Sequence, residues 1–308
     1  MAKLNWLVEE DIDLRIDKYL AKHSDLSRTR IQDLVSSGLV FVMDKPVKAS
    51  YKVQLGDEIQ CEVPEDIDLE VKAEDIPLDI LYEDEDIIVI NKPKGMVVHP
   101  AAGNQSGTLV NALLYHCKDL SGINGVIRPG IVHRIDKDTT GCIVACKNDH
   151  SHHEIANQLA NKTCKRTYVG IVKGVIPHND GIVDAPIARD TRDRQKMAVT
   201  DKNARNAITH FHVLERFSKA TYMQFQLETG RTHQIRVHMK YINHPLLGDE
   251  KYGKKSKVFE TQGQVLHASE LELIHPTTKK PMHFYAPIPE YFENILEALR
   301  KDNACEID

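Results

Sequence analysis

Pro129-Gly130-Ile131-Val132-His133-Arg134-Ile135-Asp136-Lys137-Asp138-Thr139-Thr140-Gly141 leads, one residue later, into the apolar run Ile143-Val144-Ala145-Cys146. One carboxylate, Asp136, stands between an arginine two residues before it and a lysine one after. A polar, glycine-ended turn that runs into a buried strand is a rigid place to hold reactive side chains. Cations within a few ångströms favour the charged form of a carboxylate, and they also attract a polyanion. A solvated turn of mixed charge would show the same local pattern, so the flanking segments have to decide.

His133-Arg134-Ile135-Asp136-Lys137-Asp138-Thr139-Thr140-Gly141 resembles the catalytic-aspartate motif of the RluA-type RNA pseudouridine synthases, with Ile135 where leucine is common and Thr140 where serine is common. Other segments match that family in the same order. Asn91-Lys92-Pro93-Lys94-Gly95 follows a candidate buried strand, Ile87-Ile88-Val89-Ile90. Lys165-Arg166-Thr167-Tyr168 opens another, and Thr229-Gly230-Arg231-Thr232-His233-Gln234-Ile235-Arg236-Val237-His238 is the second long match. Leu266-His267-Ala268, His275-Pro276, Met282-His283-Phe284 and Ala286-Pro287 resemble the family's last strands. The resemblance therefore spans nearly the whole chain. It implies an α+β fold with a mixed, largely antiparallel central sheet, and an isomerase that converts uridine in RNA to pseudouridine without a cofactor or metal. Large-subunit ribosomal RNA is the expected substrate. A tRNA substrate, or a non-catalytic RNA-binding or ribosome-assembly factor of the same fold, are the alternatives.

The resemblance also assigns roles. Asp136 acts on the nucleotide, Arg236 pairs with it, and Tyr168 stacks on the uracil. Stacking of a base on an aromatic ring contributes roughly 1–3 kcal/mol. Arg134 enters the space left by the extruded nucleotide, where a planar cation stacks well between bases. Arg231 and Lys165 are expected to contact RNA; His133 belongs to that set by position but reads as structural rather than catalytic. From the residues alone, Ile235, Met239 and Ile242 form the buried stripe of a helix that Thr232 could cap. Arg236 lies beside the stripe, placed to form a bidentate pair with a carboxylate of a neighbouring loop. Asp136 and Asp138 could instead be a glycosidase-like acid and base, but a close like-charged pair would raise one pKa, and nothing else in the chain suggests a sugar cleft. The histidines His150, His152 and His153, and His210 with His212, lack zinc spacing.

Residues 14–63 read as a small α/β unit. Leu14 to Leu20 has helical periodicity, and Ile31, Leu34 and Val35 form a second stripe closed by Gly38. Leu39-Val40-Phe41-Val42 reads as a strand, Asp44-Lys45-Pro46 as a turn, and Leu55 to Ile59 as the start of another strand. This order resembles the S4 RNA-binding domain, and the resemblance places Arg28, Arg30, Lys45 and Lys48 against phosphates. An acidic linker over 64–78 and a catalytic domain over 79–300 follow. Leu109 to Cys117 reads as an amphipathic helix, and Ser151 with Glu154 as the capping box of a helix reaching about Asn161.

The chain has 308 residues and a formal net charge of −5, which is unusual for a nucleic-acid binder. The average conceals an asymmetry. Glu65 to Asp86 holds eleven acids against Lys72 alone, whereas Ile87 to Lys251 holds 23 Lys and Arg against 14 Asp and Glu. A basic central region suits a polyanion bound on one face. No apolar stretch approaches the ~18 residues of a membrane span, and the start lacks a signal-peptide core, so a cytosolic protein without membrane contact is expected. The six scattered cysteines read as reduced, buried thiols. A monomer is expected.

Overall fold

The computed structural model describes residues 2–24, 26, 28–63, 71–101, 103–117, 120, 129–256 and 258–305. The chain divides into two compact units, residues 1–69 and 70–308.

The smaller unit runs β1 (Ala2–Leu7), α1 (Ile16–His23), α2 (Arg28–Ser36), β2 (Val40–Val42), β3 (Lys45–Pro46) and β4 (Glu58–Val63). Its sheet has the order β1-β4-β2-β3. The strand β1 precedes the 14–63 segment and pairs with β4 from Ala2↔Val63 to Leu7↔Glu58. Leu4 and Trp6 pack on the core made by Ile16, Leu20, Ile31, Leu34, Val40 and Ile59. Gly38 closes α2 as the stripe predicts: its N–H and that of Leu39 bond the carbonyls of Val35 and Leu34. The next turn falls one residue earlier than expected. Met43 and Asp44 take left-handed backbone, and Lys45-Pro46 already pairs with β2 as a return strand. Two left-handed residues make the turn whose twist suits a two-residue hairpin.

The larger unit runs β5 (Ile80–Glu83), β6 (Ile87–Lys92), α3 (Leu109–His116), β7 (Thr140–Cys146), α4 (Asp149–Ala160), β8 (Lys165–Lys173), β9 (Asp180–Asp184), β10 (Ile187–Arg189), β11 (Met197–Val199), β12 (Ile208–Arg216), β13 (Ala220–Leu227), α5 (Gln234–Tyr241), β14 (Leu266–Ile274), β15 (Pro281–Tyr285) and α6 (Glu290–Cys305). The main sheet has the order β5-β6-β7-β14-β8-β13-β12-β9, and β15 pairs with the far half of β14. Among the described strands of this sheet, β7 and β14 alone run parallel to one another; the other pairings are antiparallel. It is the expected α+β architecture. The expected linker is partly structured: from Val71 the chain packs on this unit, with Val71 and Leu78 against its main core and Glu74 N–H on the Asn111 carbonyl. Residues 64–70 lie outside the described residues.

The strands β6 and β7 are buried on both faces, which explains their unbroken apolar runs. Ile88, Ile90, Ile143 and Ala145 face a core shared with α3 and α5. Ile87, Val89, Cys142, Val144 and Cys146 face the opposite core with Ile155 of α4. The α5 stripe is as read: Ile235 and Met239 are buried in the first core and Ile242 packs against it. Two caps differ from expectation. Asn148, not Ser151, caps α4, and Ser151 supplies the return bond. His233, in left-handed conformation, precedes α5, and Thr232 does not cap it. Among the described residues no helix is long and apolar enough to cross a membrane. Five cysteines are buried and unbridged.

Candidate active site

The stretch from Pro129 to Thr139 is anchored to the sheet rather than solvated. Gly130 accepts from Cys146 N–H, and His133 Nε2 accepts from Val144 N–H at 3.1 Å. Ile131 and Ile135 sink into the core on either side. From below, Lys92 Nζ donates to the carbonyls of Pro93, Met96 and Lys137 at 2.8, 2.8 and 3.0 Å. Lys92 is fully buried; burial pushes its pKa down to about 7 against the pull of Asp138 and Asp136. Three carbonyl acceptors suit the three N–H groups of an ammonium. Gly141 then permits a close crossing: a Cβ there would meet the Ala268 carbonyl oxygen of β14 at 2.2 Å. These bonds fix the backbone on both sides of Asp136, the condition for a side chain to act with little reorganisation.

The cation that touches Asp136 is remote in sequence. Arg236 Nη1 donates to Asp136 Oδ2 at 2.9 Å. The bidentate pair anticipated for Arg236 is made with a different carboxylate: Nε and Nη2 donate to Asp249 Oδ2 and Oδ1 at 2.7 and 2.9 Å. Asp249 is fully buried, and its Oδ1 also accepts from the N–H groups of Lys251 and Tyr252. Arg236 thus lies between two acids, with the Tyr252 ring 5.1 Å from its guanidinium carbon. Burial works against its charge, but the hydrogen bonds and charges of Asp249 and Asp136 outweigh that and raise its pKa. His233 Nε2 lies 3.9 Å from Asp136 Oδ1, and its Nδ1 is hydrogen-bonded to Tyr252 at 2.7 Å. Burial pushes His233 down to about 4, against the pull of Asp136, so the ring next to the carboxylate is neutral at pH 7.

Asp136, Arg236 and Tyr168 line one cavity of about 670 Å³, together with His133, Arg134, Arg166, Arg205, Arg231 and His233. Tyr168 is buried to 6 % exposure, and burial pushes its phenol up to about 12. Arg134 is exposed at the rim, with Nη1 3.4 Å from His99 Nε2. Arg231 hydrogen-bonds the Asn206 carbonyl at 2.9 Å. Lys137, the cation next to Asp136 in sequence, is exposed and is not among the cavity's lining residues.

Two residues of the expected RNA-contacting set stand apart from the rest. Lys165 does not reach the cavity; it is exposed and pairs with Glu272 at 3.3 Å. Alternate residues of a strand share a face, so the neighbour of Tyr168 on the cavity side of β8 is Arg166, which is 9 % exposed and lines the cavity. His133 holds Val144 by its Nε2 and so anchors the loop, as its structural reading anticipates. Sequence reasoning missed Asp249, His233 and Arg166. Arg166 had a readable signal in its i, i+2 spacing from Tyr168. Asp249, in Leu247-Gly248-Asp249-Glu250, had none. Arg28 and Arg30 open α2, but their side chains lie outside the described residues. Lys45 and Lys48 are exposed.

A carboxylate–arginine–carboxylate array thus stands at the wall of a cavity lined by four further arginines. The comparisons with known proteins are specific about the family. Residues 86–241 match the family described as RNA pseudouridylate synthase, and residues 14–59 match the S4 domain. The chain belongs to the RNA pseudouridylate synthase family. It is 56 % identical over 295 residues to "Uncharacterized RNA pseudouridine synthase YlyB" of Bacillus subtilis, covering 96 % of this chain and 97 % of that one. It is 45 % identical to "Ribosomal large subunit pseudouridine synthase D" of Zymomonas mobilis, covering 96 % and 97 %. Among solved structures, "Human RNA Pseudouridylate Synthase Domain Containing 4" superposes with a TM-score of 0.56 at 27 % identity, covering 72 % of this chain and 92 % of that one.

Proposed function

We propose that this enzyme converts specific uridines of large-subunit ribosomal RNA to pseudouridine, with Asp136 as the residue that acts on the nucleotide. The observation that carries the reading is Asp136 itself: a carboxylate on an anchored loop, at the wall of a basic cavity, bonded to an arginine that a second acid locks in place. The large-subunit substrate is supported by the relatives named for it, which match along nearly their whole length.

The reaction breaks the N1–C1′ bond, turns the base, and forms a C5–C1′ bond; the C5 proton leaves and N1 gains one. Oxidation state does not change and no water is consumed. The target base has to leave its stack to reach Asp136. Asp136 attacks as a nucleophile at C1′ or takes a proton at C2′; both need a free carboxylate oxygen. Arg236 bonds Oδ2, which leaves Oδ1 towards His233. Tyr168 holds the face of the base, and the enclosure keeps detached uracil from escaping. Arg134 fills the vacated stack. The S4 domain adds phosphate contacts that position the RNA without reading sequence.

The test is release of tritium from ribosomal RNA carrying C5-labelled uridine. Asp136→Asn should keep its fold and RNA affinity and lose turnover by roughly 10³-fold or more. Near wild-type release by that variant overturns the assignment; strand cleavage or free uracil would point to a hydrolase instead.

A further inference from the structure

The same cavity holds a second buried arginine in a different condition. Arg166 is 9 % exposed, its Nε is buried with no hydrogen-bond partner, and no carboxylate pairs with it among the described residues. Next to it, His133 presents another unsatisfied atom, the buried Nδ1. The state of that ring follows from its other nitrogen. Nε2 accepts the Val144 N–H, so it carries the lone pair and the neutral ring carries its hydrogen on Nδ1. Both Arg166 and His133 line the cavity, and they are close enough for the charge of Arg166 to oppose protonation of His133. Gly230 leaves room for the guanidinium: a Cβ there would lie 2.7 Å from Arg166 Nη1.

Buried donors without acceptors are costly, and a buried cation without a counter-charge more so. A fold keeps such a pair where a ligand completes it. The missing ligand must be an acceptor to several N–H groups at once, and it must be anionic to balance the guanidinium. RNA offers one such group, the phosphodiester, whose oxygens fit the arginine fork. We propose that Arg166 and His133 Nδ1–H form a phosphate-binding subsite that takes a backbone phosphate flanking the target uridine. It rests on the reading of the cavity as an RNA site. Asp136 and this subsite would then grip the two ends of one unit, the sugar carbon and its phosphate. Placing both in one cavity sets how far the nucleotide must swing before reaction begins.

The test uses the full-length protein and large-subunit ribosomal RNA transcribed without modification. Binding is measured by filter retention across a salt series, and turnover by tritium release. Each phosphate neutralised adds about 0.7–0.9 to the slope of log affinity against log salt. Arg166→Met should lower that slope by about that amount and raise KM more than it lowers kcat. Arg166→Lys should restore the slope in large part, because it restores the charge. Lys301→Met, which removes an exposed cation of α6 outside the cavity lining, should change neither. Gly230→Ala pushes on the guanidinium and should weaken affinity in the same direction, a second route should Arg166→Met fail to fold. An unchanged slope with unchanged KM overturns the subsite. An unchanged slope with a lower kcat overturns it too, since Arg166 then serves a neutral oxygen of the base. Binding is read without turnover, so failure of the subsite is distinct from failure of the isomerase reading, which a wild-type enzyme that releases no tritium would show.

Discussion

Arg236 and Arg166 are buried to nearly the same extent, 8 % and 9 % exposed, in walls of one cavity. Their surroundings are opposite. Arg236 has two carboxylates, three hydrogen bonds and an aromatic ring against it. Among the described residues Arg166 has none of these, and its neighbour His133 is a second donor without an acceptor. The first arginine is compensated by the fold, so its task is complete before substrate arrives: it holds a carboxylate in place. The second is left for something outside the protein to compensate. Burial of a charge therefore does not by itself say whether a residue serves stability or binding; the partner inventory does.

The comparison predicts opposite responses to the same substitution. Arg236→Met should cost about 3–5 kcal/mol of stability in urea unfolding, because it strands Asp249 in the interior. It should also lower turnover sharply. A cost near zero would mean that the Asp249 pair is not formed in solution. Acid should act on both walls. His133 and His233 are held neutral, at about 3 and about 4, while an unfolded histidine titrates near ~6.5. As pH falls below that value the unfolded chain takes up protons the folded chain refuses. Stability should therefore fall between about pH 6.5 and 4 through both rings and on to about pH 3 through His133, by up to about 1.4 kcal/mol per pH unit for each ring. His233→Gln should flatten the upper part of that decline and His133→Gln should shorten its acid end; a pH-independent midpoint for the wild type refutes both assignments. Arg166→Met should leave the fold intact and stabilise it by about 1 kcal/mol, since it removes an uncompensated charge. A loss of stability instead would reveal a partner for Arg166 in the folded protein. Lys165→Met should change stability by less than about 0.5 kcal/mol, as befits an exposed pair.

What could be read from the sequence was what the chain does locally. The double-sided strand β6, the α5 stripe and the turn at Asp136 are each written in consecutive residues, and each stands where the pattern put it. The strand β1 was also written, in the alternation of Leu4 and Trp6 with Lys3 and Asn5, but it needs β4 as partner and so reads as a mere tail on its own. The cap at Asn148 is not separable from Ser151 in sequence, because both belong to the same box and donor and acceptor cannot be told apart without the backbone. Arg166 was legible too, since its i, i+2 spacing from Tyr168 puts both on one face of a strand. Asp249 is different in kind: its contact with Arg236 is fixed by the path of the chain after α5, which no short pattern encodes.

The crossing of β7 and β14 carries a consequence in time. The wall beneath Asp136 is completed by residues from the far end of the chain: Gln264 donates to Thr139 Oγ1, His267 bonds Thr140 Oγ1, and Ala268 lies against Gly141. Contacts of such long sequence separation form late, because the intervening loop must be ordered first. During synthesis, the motif at Asp136 leaves the ribosome long before its supports do. A nascent chain therefore cannot assemble this site until most of the larger unit has been made, so an incomplete enzyme has no finished site with which to act on RNA.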